Sequence, residues 1–166
     1  MARIGIGYDS HRFQAGRQLV LGGVPIDSPV GLAGHSDADA VLHAVTDAVL
    51  GAAGGPDIGE LFPDTDPSWK NADSSVFLKR AVQLAAAAGL VVGNCDVTVI
   101  AQQPKLSAYK QPMGCRLAQL LGVAPSAVTV KAKTNEGMGW IGRGEGLAVI
   151  AAVLLEKAGV AGDERC

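Results

Sequence analysis

Arg3-Ile4-Gly5-Ile6-Gly7-Tyr8-Asp9-Ser10-His11 alternates with a period of two, the pattern of a β-strand that buries one face. Side chains at i and i+2 of a strand share a face, so Asp9 and His11 can converge on one ion. The next decisive stretch is Gly34-His35-Ser36-Asp37-Ala38-Asp39-Ala40-Val41-Leu42-His43. Ser36 or Asp37 predicts a helix start, because both residue types cap helices well and Val41, Leu42, Val45, Val49 and Leu50 recur at roughly helical spacing. Gly54-Gly55-Pro56 stops that helix. His43, one of only three histidines in the chain, then arrives from a helix beside the strand pair. One carboxylate and two imidazoles make a donor set suited to zinc. Three protein ligands leave a coordination position open, as catalytic rather than structural zinc sites do.

Outward from these two stretches, Gln18 to Leu21 and Val24 to Ile26 read as extended pieces joined at Gly22-Gly23. Residues 57–73 form a long loop rich in Pro, Asp and Gly, a length that points to function. A helix is predicted over 74–88, a strand over 96–101 and a helix over 107–121, with Pro112 in its first turns or kinking it. Strands follow at 128–133 and 147–155. Strands and helices alternate irregularly with hairpin-like joins at both ends. This predicts an α+β fold, a two-layer sandwich with a mixed sheet and helices on one face, over a doubly wound sheet. At 166 residues the chain fits one domain, residues 1–166.

A formal net charge of -2 argues against a protein that neutralises nucleic-acid phosphates. No window of 18 uninterrupted apolar residues and no signal peptide is visible, so a cytoplasmic protein without a membrane span is expected. Cys95, Cys115 and Cys166 lack C-x-x-C spacing and read as two small apolar fillers and a tail thiol in a reducing compartment.

Asp39, His43 and Asp47 share a helix face, so Asp39 or Asp47 could orient His43; the alternative is a solvated acidic face. Gly137-Met138-Gly139-Trp140-Ile141-Gly142 matches G-x-G-x-x-G but stands too near the C-terminus for a dinucleotide fold. It can still offer backbone N–H groups to phosphate, or simply join two strands. Asp64 and Asp66 sit on a proline-stiffened loop, where such pairs are usually turn formers. An open metal site, loop acids, a glycine turn with Arg143, and Thr134-Asn135-Glu136 before it together point to metal-assisted phosphoryl chemistry.

The chain resembles the 2-C-methyl-D-erythritol 2,4-cyclodiphosphate synthases of the non-mevalonate isoprenoid pathway nearly end to end. The resemblance runs through Gly7 to His11, Gly34 to Asp39 with His43, Asp57-Ile58-Gly59 with Leu61 to Asp66, Asp73-Ser74, Asp96 to Thr98, Ala101 to Lys105, and Gly142 to Gly146. It implies an intramolecular reaction in which the 2-phosphate of a CDP-methylerythritol 2-phosphate attacks the β-phosphorus, releasing CMP. It implies zinc on Asp9, His11 and His43, and a second divalent ion, magnesium or manganese, contacting Glu136. His35 and Thr134 match transition-state-stabilising positions. Ser36, Asp57, Ile58, Gly59, Phe62, Pro63, Asp64, Thr65 and Asp66 match the surroundings of the erythritol. Ala101, Gln102, Gln103, Pro104, Lys105, Leu106 and Ser107 match the cytosine cradle. Lys133, Asn135, Trp140 and Arg143 match further nucleotide-facing positions. The implied fold is a ferredoxin-like sandwich that assembles as a homotrimer, with active sites between subunits. Lys133, Asn135 and Trp140 depart from the family's common residues, as does Tyr8, which puts local cytidine contacts and the trimer cavity in question. A zinc-dependent hydrolase of nucleotide diphosphates would use the same ligands with a positioned water. A nucleotide-binding regulator with a structural zinc is the non-enzymatic alternative.

Overall fold

The opening alternation becomes strand β1, Arg3–Ala15. The structure is a computed structural model and describes residues 1–159. β1 is followed by β2 (Leu19–Leu21), β3 (Val24–Ile26) and β4 (Val30–Leu32). Then come α1 (Ala40–Ala53), the single turn α2 (Ile58–Leu61), a 3-10 turn at Pro67–Trp69, and α3 (Ser75–Ala87). The chain finishes with β5 (Leu90–Ile100), α4 (Lys110–Leu121), β6 (Val128–Lys133), the short α5 (Gly139–Gly142) and β7 (Gly146–Lys157).

Five strands form one mixed sheet in the order β4-β1-β7-β5-β6, while β2 and β3 pair as a separate hairpin. Only β5 and β6 run parallel, and α4 supplies the crossover that a parallel pair requires. Leu, Val and Ala from β5 and β7 pack against α1, α3 and α4 to make the core. The opposite sheet face is open: Ile4, Ile6, Tyr8 and Ile150 are 73%, 70%, 56% and 43% exposed. The fold is thus α+β in two layers, with a mixed sheet and its helices on one face.

β1 and α1 approach unusually closely because Gly5 and Gly7 present no side chain to the helix. A Cβ on Gly7 would lie 1.9 Å from the Ala44 carbonyl oxygen, and one on Gly5 would lie 1.8 Å from that of Ala48. Alternate residues share this strand face, so the two glycines are followed on it by Asp9 and His11. Close contact between strand and helix therefore also sets the separation of Asp9 and His11 from His43.

Several boundaries differ from expectation. α1 begins at Ala40, because Asp39 is its N-cap and accepts from the backbone N–H groups of Val41 and Leu42. The same carboxylate accepts from Gly22 and Gly23, at 2.8 and 2.6 Å, pinning the β2–β3 turn to the helix. Asp39→Ala leaves four backbone N–H groups, three of them buried, without this acceptor and should cost about 3 kcal/mol. That loss should read as a fall of roughly 10 °C in the melting temperature. Melting within about 2 °C of wild type would contradict it.

β5 starts six residues earlier than the β-branched run, and an irregularity between Val92 and Asn94 masks the alternation there. α4 starts at Lys110, which places Pro112 in the first turn, where no intrahelical N–H is lost. The loop 57–73 contains α2 and the 3-10 turn, capped by Asp57 and Asp66 and too short to show periodicity. Cys95 is buried, and burial pushes its thiol up to about 12, as suits an inert filler. Cys115 corrects the expectation of a second filler: it is exposed on α4. Cys166 lies outside the described residues.

Candidate metal centre and active site

Asp9 Oδ2, His11 Nε2 and His43 Nδ1 form a small triangle. The carboxylate oxygen lies 2.9 Å from His11 Nε2 and 3.1 Å from His43 Nδ1, and the two nitrogens are 3.3 Å apart. Zinc with bonds of about 2.0–2.1 Å in a tetrahedral site would space its ligand atoms by roughly 3.3 Å, so the residues fit that ion. Among the described residues this is the one His/Cys/Asp/Glu group close enough to hold a metal. Asp9 Oδ1 accepts from the Ser10 N–H at 2.9 Å, which turns Oδ2 toward the histidines. His11 Nδ1 lies 2.7 Å from the Ala33 carbonyl, which takes the ring proton and leaves Nε2 to face the triangle.

Burial alone would raise the Asp9 carboxyl, but the close ring nitrogens of His11 and His43, with their charges, hold it well below the usual carboxylate range. Burial works against a proton on His11, yet its hydrogen bond and attraction to Asp9 raise that imidazole above its ordinary value. Metal binding would displace any proton held between these groups.

Neither expected carboxylate orients His43. Asp39 is buried at the N-cap, and Asp47 accepts instead from the Ile58 N–H at 2.8 Å, tying α1 to α2. A shared helix face was not enough, because each carboxylate found backbone donors nearer than the histidine. Ser74 and Ser36 do the work: His43 Nε2 lies 2.9 Å from Ser74 Oγ and 3.2 Å from Ser36 Oγ. The sequence signal for Ser74 was faint, a helix-capping residue after the long loop.

The triangle opens into a pocket of about 270 Å³ lined by His35, Ser36, Ile58, Gly59, Phe62 and Asp64, with Trp69 and Phe77. Phe62, Trp69 and Phe77 pack on one another at centroid distances of 4.6 to 5.6 Å, forming an apolar wall that residue spacing did not reveal. His35 Nε2 lies 3.3 Å from the Asp66 carbonyl. Asp57 and Asp66 spend their carboxylates as caps on Glu60 N and Ser68 N, and the Pro63 carbonyl accepts from Asp66 N, closing the turn through Thr65.

The other expected site residues gather elsewhere. Ala101, Gln102, Pro104, Lys105, Leu106 and Ser107 line a second pocket of about 150 Å³ with Lys133 and Thr134. Gln103 faces an adjoining hollow with Phe13 and Pro104, and its bond to Pro104 is cis. Thr134 Oγ1 donates to Glu136 Oε1 at 2.6 Å, Asn135 Nδ2 to the Met138 carbonyl at 2.8 Å, and Arg143 Nε to Glu145 Oε1 at 2.6 Å. Trp140 is partly exposed beside them. Glu136 is not brought to the Asp9–His11–His43 group. Across the sheet, Ser10 pairs with Ala148, Ala148 with Ile100 and Ile100 with Lys133. The strand positions beside the two pockets thus lie at one level of the sheet, three strands or roughly 14 Å apart.

Three side chains that could hold a metal ion, at the mouth of a largely apolar pocket, make the arrangement expected of an open-site metalloenzyme. Comparisons narrow this further. A 2-C-methyl-D-erythritol 2,4-cyclodiphosphate synthase of Gemmatimonas aurantiaca is 57% identical over 159 residues, covering 96% of each chain. A solved 2C-methyl-D-erythritol-2,4-cyclodiphosphate synthase is 42% identical with a TM-score of 0.86, covering 93% of this chain and all of that one. A CDP complex of IspF from Plasmodium falciparum is 36% identical with a TM-score of 0.84, covering 95% of this chain and 97% of that one. The chain belongs to the YgbB family, whose profile matches residues 2–156.

Proposed function

We propose that this chain cyclises 4-diphosphocytidyl-2-C-methyl-D-erythritol 2-phosphate to the 2,4-cyclodiphosphate with release of CMP, a step in isoprenoid precursor biosynthesis and formally a phosphorus–oxygen lyase reaction. The observation that carries this reading is the open metal triangle facing a pocket lined by His35, Ser36 and Asp64, in a chain of this family. Zinc on Asp9, His11 and His43 would supply Lewis-acid polarisation of a phosphate oxygen and a fixed alignment for the displacement. His35 offers its imidazole to phosphate oxygens as charge develops, and the Thr134 hydroxyl does the same from the nucleotide side. Ser36, Asp57, Ile58, Gly59 and the turn Phe62 to Asp66 hold the erythritol and exclude water, which protects the intramolecular attack from hydrolysis. Segment 101–107 cradles the cytosine, and Lys133, Asn135, Trp140 and Arg143 face the nucleotide phosphates and ribose. Glu136 would hold the second cation, magnesium or manganese, which would neutralise phosphate charge.

The working unit is a homotrimer of single-domain subunits with active sites between them. The exposed apolar face of Ile4, Ile6, Tyr8 and Ile150 supports this, being the kind of surface that association covers. The distance between the two pockets within one chain is a second support. Among the described residues no helix is long and apolar enough to cross a membrane. A cytoplasmic site of action fits the free Cys95 and Cys115.

Incubating the purified protein with the substrate in heavy-oxygen water, with and without a chelator, tests the reaction. Cyclic diphosphate and CMP free of solvent oxygen are expected, with both lost on chelation. Linear phosphates carrying solvent oxygen would make the protein a hydrolase instead. Glu136→Gln should raise the magnesium concentration needed for half-maximal turnover by about tenfold while zinc content is unchanged. Equal loss of both metals would contradict their separate placement.

A further inference from the structure

Behind His43 a line of polar groups runs in one direction only. The Ser74 hydroxyl donates to Asp37 Oδ1. Asp37 also accepts from the backbone N–H groups of Ser74 and Asp39, each at 3.2 Å. Ser36 Oγ accepts the Ala38 N–H at 3.1 Å and lies 3.3 Å from Ser74 Oγ. Ser36 and Ser74 are both buried, at 6% and 0% exposure, so their protons must find protein partners.

A carboxylate accepts hydrogen bonds and donates none. Asp37 at the end of the line therefore claims the single proton of Ser74, which leaves Ser74 Oγ only lone pairs for its other neighbours. Ser36 Oγ, at 3.3 Å, is placed to donate to one of these and His43 Nε2, at 2.9 Å, to the other. A neutral His43 that donates to Ser74 carries its proton on Nε2 and keeps a lone pair on Nδ1. That lone pair points at Asp9 Oδ2, 3.1 Å away, and at His11 Nε2, 3.3 Å away. With Nδ1 unprotonated, the two ring nitrogens and the carboxylate oxygen present the donor set that a cation would occupy.

We propose that Asp37 and Ser74 are positioning residues for His43, selecting the tautomer whose Nδ1 is free to bind the metal. This interposes a hydroxyl in the carboxylate–histidine–metal arrangement by which proteins fix the orientation of a ligating imidazole. The assignment rests on the reading of Asp9, His11 and His43 as a zinc site.

The test reads the tautomer and the metal separately. Imidazole nitrogen NMR of the metal-free protein, at a pH where His43 is neutral, should show the wild-type proton on Nε2. In Ser74→Ala the Ser36 proton is released toward Nε2, and in Asp37→Asn the Ser74 proton is, so both variants should shift the ring proton toward Nδ1. Zinc affinity, measured by competition with a chelator, should fall about 10- to 100-fold in each. Thr46→Val is the control: it deletes another buried hydroxyl of α1, one that donates to the Leu42 carbonyl, and should change neither readout. Should Ser74→Ala fail to fold, Asp37→Asn carries the test, since it keeps the hydroxyl and alters only the terminal acceptor. A wild-type proton on Nδ1, unchanged tautomer and zinc affinity in the variants, or equal losses in Thr46→Val, would each overturn the proposal. A wild-type protein with its proton on Nε2 that takes up no zinc would instead refute the metal reading.

Discussion

His43→Ala should abolish stoichiometric zinc binding and lower turnover by about a thousandfold or more, while the folded chain survives. The triangle has three corners, and deleting one leaves two donors, too few to retain the ion against water. Lewis-acid polarisation of a phosphate oxygen is worth several kcal/mol in the transition state, and each 1.4 kcal/mol is about tenfold in rate. The side chain sits at a pocket mouth rather than in the apolar core, and its neighbours Ser36 and Ser74 can bond to each other once it is gone. The metal-free variant should therefore melt within about 3 °C of the metal-free wild type, since a 1 kcal/mol loss moves a chain this size by about 2–4 °C. Asp9→Ala and His11→Ala should behave alike. Elemental analysis, a CMP-release assay and calorimetry on the same preparations check all three readouts. Outright unfolding of any one variant would make the metal structural, and full turnover without zinc would remove it from the reaction.

Adding a single methyl group at Gly7 should be among the most damaging small changes in the fold. In Gly7→Ala the new Cβ would lie 1.9 Å from a backbone carbonyl oxygen of α1, and no side chain can move aside to relieve it. The strand and the helix must separate, opening the core contact between β1 and α1. Overpacking costs typically 1–3 kcal/mol where side chains can yield, and a backbone clash belongs at about 3 kcal/mol or beyond. That corresponds to a loss of roughly 10 °C in melting temperature. Separation also pulls Asp9 and His11 away from His43, so any folded fraction should bind zinc poorly. Ile6→Val, one position earlier on the open face, is the matched control and should cost little in the isolated chain. A Gly7→Ala protein that melts like wild type and keeps its zinc would show that the close approach is not needed.

The clustering of Asp9, His11 and His43 was legible because its geometry is local: a two-residue strand period aligns Asp9 with His11 whatever the rest of the fold does. The helix bearing His43 was legible from its apolar period and its glycine stop. The partners of His43 were not. Asp39 and Asp47 share its helix face, yet Gly22, Gly23 and Ile58 took their oxygens, and Ser74, thirty-one residues away, reached the ring instead. The aromatic wall of Phe62, Trp69 and Phe77 was hidden for the same reason, since its members come from two short turns and a separate helix.

By itself, then, the sequence determined the order of the elements, the α+β layering, the three candidate metal ligands and the kinship carried by its spaced motifs, all consequences of period, capping and short-range spacing. Tertiary structure alone decided how near β1 lies to α1, which groups satisfy His43, that Cys115 is exposed, and that the two pockets stand three strands apart. Those depend on which distant donors and acceptors meet once the core closes, and a hydrogen bond formed after a long excursion of the chain leaves no periodic trace in it.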